Sequence, residues 1–78
     1  MGGVFMSVDI TYYGPGLTPM CRFYEILNDK PCTSRKLSLE EAHRLMWELV
    51  LAGATKEYHS NQYDPSIHTV SAQYYARR

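Results

Sequence analysis

One segment of the sequence, residues 39–52, has the spacing of an amphipathic helix, so most of the remaining core must come from strands. Ser38 and Glu41 form a capping-box pattern, in which each side chain accepts a hydrogen bond from the other residue's backbone amide. Gly53 follows, where a helix typically ends in the left-handed conformation. Apolar residues recur at steps of three and four: Leu39, Ala42, Leu45, Met46, Leu49, Val50 and Ala52. The pattern predicts a helix over residues 39–52, with two ion pairs along a polar row made of Glu40, Arg44 and Glu48.

The segments on either side of this helix alternate as strands do. Every even position of residues 4–12 is apolar or aromatic, which is typical of a strand with one buried face. Breaker and turn residues separate four further predicted strands, at residues 20–28, 32–36, 55–62 and 67–75. Residues 20–28 are apolar on both sides, which favours a central place in the sheet. The order β-β-β-α-β-β predicts a single α+β domain over residues 1–78, an antiparallel sheet with one helix packed on one face.

Size and charge restrict the classes of partner. The 78 residues carry eight Lys plus Arg and eight Asp plus Glu, so no basic field exists to gather phosphates. A chain this short buries only about 60–65% of its unfolded surface and usually needs a disulfide, a metal or a partner subunit. Cys21 and Cys32 could form only one bridge. With no signal-peptide pattern and no apolar run near the ~18 residues of a membrane span, we expect a soluble cytoplasmic protein with reduced thiols.

Residues that carry catalysis or bind metal are sparse. Cys21 lies within a predicted strand and Cys32 beside a turn, neither at a helix N-terminus that would lower a thiol pKa. His59 and His68 would face each other across the second hairpin if its turn is centred near Asp64, but two ligands do not make a structural zinc site. The sequence therefore predicts no enzyme activity, no metal and no cofactor.

The aromatic content is the unusual feature, with seven tyrosines and one tryptophan. Trp47 and Leu51 lie within about 20° of Glu40 on the polar side of the predicted helix. Either a partner covers them, or the N-terminal segment or the loop at residues 14–19 does. Because tyrosine and tryptophan are enriched at interfaces, the predicted interface residues are Trp47, Leu51, Tyr13, Tyr63 and Tyr75. The alternative is that the three tyrosines are strand formers on a solvated face.

Two functions from different classes follow from these patterns. The first is a protein-binding or self-associating module, such as an accessory factor or inhibitor of the kind that phages and mobile elements carry. The second is a single-stranded nucleic-acid-binding domain that stacks bases on the sheet face opposite the helix. Its candidate residues are Arg22, Arg35, Lys36, Arg77 and Arg78. Neutral net charge and an element order unlike that of common RNA-binding folds favour the first function.

Overall fold

The computed structural model describes residues 3–27 and 30–77, and it confirms the predicted α+β architecture. All strand pairs are antiparallel, and the strand order in the sheet is β3-β2-β1-β5-β4. The elements are β1 (Gly3–Tyr12), β2 (Met20–Leu27), β3 (Thr33–Leu37), α1 (Leu39–Leu51), β4 (Thr55–Ser60) and β5 (His68–Arg77). As predicted, β2 is central, since it lies between β3 and β1. The last predicted residue of that strand, Asn28, lies outside the described residues.

The second hairpin differs from the prediction, because β4 ends at Ser60 rather than at residue 62. The Asn61 side chain accepts hydrogen bonds from the backbone amides of Tyr63 and Asp64, at 2.8 and 3.0 Å. Asp64 in turn accepts from the Ser66 amide and hydroxyl, at 3.0 and 2.6 Å. One more backbone hydrogen bond joins the two arms, from the Asn61 amide to the Ile67 carbonyl at 3.0 Å, and these Asx-type contacts then form the turn. Hydrogen bonds from Ser66 also lower the pKa of Asp64.

The helix begins and ends as its sequence predicts. Ser38 and Glu41 make both hydrogen bonds of the capping box, and Gly53 adopts a φ of 108°, which favours glycine. The two ion pairs predicted along the polar row do not form in the part of the chain that the structure describes. Arg44 is exposed, and an exposed ion pair gains too little to fix two long side chains. The carboxylate of Glu41 lies 3.9 Å from Arg35 of β3 instead.

The core lies between α1 and one face of the central strands. Strand register places Val8 beside Ala72 of β5 and Ile10 beside Cys21 of β2, and Leu49 of α1 is buried in the same cluster. The opposite face of β1 and β5 is mostly polar, as the alternation of β1 predicts. The even positions of β1 therefore point towards the helix.

One helix cannot cover this sheet. Five strands about 4.8 Å apart span about 19 Å, whereas a helix with its side chains is about 10 Å wide. The helix packs mainly over β1, β5, β2 and β3. The radius of gyration, 13.3 Å, exceeds the roughly 11.5 Å expected of a compact 78-residue domain. The helix-side face of β4 is therefore left uncovered by α1.

Within residues 3–27 and 30–77, no helix is both long and apolar enough to cross a membrane.

Candidate functional site

A groove of about 290 Å³ lies between α1 and the β4 side of the sheet. The helix forms one wall of this groove, β1 and β5 form its floor, and β4 contributes the far rim. Its lining residues are His43, Met46, Trp47, Val50, Ile10, Tyr12, Val70 and Lys56. Most of these are apolar or aromatic, and Lys56 supplies a positive charge at the rim. A groove of this composition is suited to an apolar group that carries a negative charge beside it.

Three aromatic side chains pack against one another on the β4 side of the sheet, beside the groove. Tyr12 stacks on His68 with ring centroids 4.9 Å apart and planes 20° apart, because these residues are opposite each other in register. His68 also contacts Tyr58 of β4, with centroids 5.4 Å apart. Tyr58 is nevertheless 63% exposed. The rings are thus held in place by one another while much of Tyr58 stays open to solvent.

Trp47 and Leu51 are largely open to solvent. Trp47 is 66% exposed and Leu51 is 82% exposed. Neither the described part of the N-terminal segment nor the loop at residues 14–19 covers them. Trp47 forms part of the groove wall, and most of its indole ring is exposed to solvent in the isolated chain.

The other predicted interface residues lie elsewhere and do not form one surface with Trp47. Tyr13 is half-buried beside the loop after β1, where its hydroxyl donates to Met20 Sδ at 3.8 Å. Tyr63 is exposed in the turn after β4, and Tyr75 is exposed on the sheet face opposite the helix. The structure thus brings only Trp47 and Leu51 together, at adjacent turns of one helix face.

Sequence reasoning missed Tyr58, Tyr12, His68 and Lys56 as parts of the site. Tyr58 and Lys56 share the helix-side face of β4, and their two-residue spacing was the available signal. That spacing indicates a site only when β4 is known to lie outside the area of the sheet that the helix covers. The position of α1 over the sheet, rather than any local pattern, creates this groove.

The candidate nucleic-acid residues are divided between the two faces of the sheet. Arg22 and Lys36 are opposite each other in register on the face without the helix. Arg35 was predicted for that face, and this is wrong. Its guanidinium lies 5.4 Å from the centre of the Phe23 ring on the helix side, because Arg35 pairs in register with the core-facing Phe23. Arg77 ends β5, and Arg78 lies outside the described residues.

The expectation that His59 and His68 face each other is also wrong. The hairpin pairs His59 with Thr69 and Ser60 with His68, so the two imidazoles lie on opposite faces. A one-residue difference in register moves a side chain to the other face of a sheet. In the described residues no group of three or more potential metal ligands is found.

Neither cysteine is placed as an activated nucleophile. Cys21 is buried, and burial raises the pKa of its thiol, which favours the unreactive protonated form. Cys32 is exposed and its thiol lies 3.6 Å from the Thr33 carbonyl.

A histidine and a carboxylate meet on the open face of the sheet, and a serine is opposite the carboxylate residue in register. His59 Nε2 lies 3.0 Å from Glu57 Oε2, and Glu57 is opposite Ser71 in register. However, Ser71 is buried, and within the described residues its hydroxyl has no hydrogen-bond partner. The arrangement therefore lacks the hydroxyl–imidazole hydrogen bond that activates a serine.

Comparisons with protein-family models, with curated proteins and with solved structures found no match to this chain.

Proposed function

We propose that this chain is a non-enzymatic protein-binding module, and that Trp47 anchors the partner at the groove between α1 and β4. The observation that carries the proposal is the 66% exposure of Trp47 on the wall of an apolar groove. A tryptophan at the rim of a concave, largely apolar surface is the type of residue that dominates binding energy at protein interfaces. Leu51, one helical turn further, extends the same apolar surface.

The size of the groove favours a side chain of a protein over a small molecule. Small-molecule sites usually enclose about 300–1,000 Å³ and bury most of the ligand. The groove, at about 290 Å³, lies at the lower limit of that range, and Trp47 on its wall is largely open to solvent. It suits one inserted aromatic or aliphatic side chain.

Charge at the rim narrows the chemistry of the partner further. Lys56 is exposed, and among the described residues it makes no ion pair. A carboxylate next to the inserted side chain would pair with it, which improves selectivity more than affinity. We therefore infer a partner segment that presents a large apolar residue beside an aspartate or glutamate. An accessory factor or inhibitor that captures such a segment is the role this surface fits.

A displayed peptide library tests this proposal even while the natural partner is unidentified. Peptides selected on the folded chain should converge on an aromatic or leucine residue next to an acidic one. They should bind Trp47→Glu at least about tenfold more weakly, because the anchor is lost. Lys56→Glu should bind the acidic peptides more weakly than the parent does. Leu17→Ala is the control, because Leu17 is exposed in the loop before β2, and it should bind the peptides like the parent.

Trp47 also reports binding directly, since it is the only tryptophan in the sequence. A selected peptide that enters the groove should shift its fluorescence emission to shorter wavelength as the indole leaves water. Peptides that bind the parent and Trp47→Glu equally well would show that the groove is not the binding surface.

A further inference from the structure

The outer edge of β4 is a second unpartnered feature of the molecule, distinct from the groove. Among the described residues strand β4 ends the sheet, so every second residue of β4 directs its backbone N–H and C=O groups outward, where no described strand pairs with them. Five of its six residues are exposed, and none is a proline that would obstruct pairing. An edge of this kind can accept another strand by main-chain hydrogen bonding.

Antiparallel pairing between two copies restricts the register of such an addition. Residues opposite each other in an antiparallel pair are either both hydrogen-bonded or both not. Outward backbone groups alternate along β4, so a residue can lie opposite only residues an even number of positions away in the second copy. A two-fold axis perpendicular to the sheet must then pass midway between one residue of β4 and the same residue of the second copy, and each possible axis takes the name of that residue.

Strand overlap and charge together select one axis, because an axis at the terminal residues Thr55 or Ser60 would leave the rest of the six-residue strand without a partner residue in β4 of the second copy. An axis at Lys56, Glu57 or His59 sets two identical ionisable side chains against each other, which is unfavourable for the charged forms. An axis at Tyr58 places Glu57 opposite the partner's His59 in both halves of the pair. These side chains are chemically suited to each other, since Glu57 Oε2 and His59 Nε2 of one chain already lie 3.0 Å apart.

We propose that two copies of this chain pair through β4, antiparallel, with Tyr58 on the two-fold axis. The pairing opposes Lys56 to the partner's Ser60 and sets the two exposed Tyr58 rings side by side, as stabilising cross-strand aromatic pairs lie. Because paired residues point to the same face, both helices lie on one side of a continuous sheet formed from two five-stranded sheets. The two Trp47 grooves remain on that side, one on each half.

Sedimentation equilibrium tests the proposal on the full chain, at concentrations up to about 1 mM so that weak association is detected. The parent should dimerise, and Tyr58→Lys should weaken dimerisation at least about tenfold, since it places two ammonium groups on the axis. Tyr63→Lys is the matched control, because Tyr63 is exposed in the turn beyond β4. It should dimerise like the parent. A monomeric parent, or equal effects of the two substitutions, would overturn the proposal.

Disulfide cross-linking tests the register and does not depend on the Tyr58→Lys variant folding. In a Cys32→Ser background, Tyr58→Cys should form a disulfide-linked dimer on mild oxidation, because position 58 meets itself at about 4.5–5.5 Å between Cβ atoms. Lys56→Cys should not, since position 56 meets position 60. Adding Ser60→Cys to Lys56→Cys should restore cross-linking. Equal cross-linking of the two single variants would show that the register is wrong.

The proposal for the β4 edge and the proposal for the groove can be overturned independently of each other. A monomeric chain would exclude the pairing and leave the binding of peptides to Trp47 unaffected. Peptides indifferent to Trp47→Glu would exclude the groove and leave the dimer intact.

Discussion

The two outer parts of the sheet, the β3 flank and the β4 flank, differ in how far α1 covers them. On the β3 side, the helix contacts the edge strand, Glu41 lies 3.9 Å from Arg35, and the Arg35 guanidinium covers the Phe23 ring. On the β4 side, the helix stops short, and Trp47 and Tyr58 stay largely exposed. The same helix therefore closes one flank and leaves a groove along the other.

The two edge strands also differ in the charged residues that they carry. Strand β3 carries the adjacent cations Arg35 and Lys36 and no acidic residue, so a second copy paired with it would offer them no opposite charge. Strand β4 carries Glu57 and His59, which the proposed pairing sets opposite each other, whereas Lys56 lies opposite the uncharged Ser60. The signs and positions of the charges on an edge strand, and not only their number, therefore affect whether it can pair with a second copy.

The largest expected contrast lies within α1, between two leucines two residues apart. Leu49 is 7% exposed in the core and Leu51 is 82% exposed on the open side. Leu49→Ala should lower the free energy of unfolding by about 2–4 kcal/mol, a large share of the total for a small domain. Leu51→Ala should change it by less than about 0.5 kcal/mol. Urea denaturation of both variants gives the comparison, and equal losses would contradict the placement of the helix.

A smaller contrast concerns the closed flank. Arg35→Ala removes the guanidinium from the Phe23 ring and from Glu41, and should cost about 0.5–1 kcal/mol of unfolding free energy. Lys36→Ala, next to it on β3 but on the opposite face, should cost less than about 0.5 kcal/mol. Arg35→Lys keeps the charge but loses the planar stacking, so it should lie between the two. Identical melting curves for all three would mean that Arg35 does not close this flank.

Local signals in the sequence predicted the elements, whereas the exact register of the second hairpin and the position of the helix over the sheet decided the site. The capping box of Ser38 and Glu41 and the alternation of residues 4–12 act over a few residues, so they located α1 and β1. The register of the second hairpin depends on hydrogen bonds of Asn61 and Asp64, and an offset of one residue separated His59 from His68. The importance of Tyr58 depends on where α1 crosses the sheet, which no local pattern contains.

On the open flank, Trp47→Glu should barely affect folding. Its side chain is already largely in water, so the carboxylate would not be buried, and the free energy of unfolding should change by about 0.5 kcal/mol or less. A carboxylate forced into an apolar contact would instead cost several kcal/mol. Circular dichroism and a thermal melt at low chain concentration distinguish these results. An unfolded variant would show that the chain itself covers Trp47 in solution.

The smallest expected effect is the absence of nucleic-acid binding by the basic β3 flank. Arg35 is directed to Phe23 and Glu41, which leaves Arg22 and Lys36 on the open face, where Arg22 is opposite Asp9 in register. With no net charge, the chain should not be retained on heparin or a single-stranded oligonucleotide at about 150 mM salt. Phosphate-driven binding falls steeply as salt rises, whereas groove binding by Trp47 should change little. Retention that Arg22→Ala with Lys36→Ala abolishes would assign the β3 flank a nucleic-acid partner and reverse the functional ranking of the two flanks.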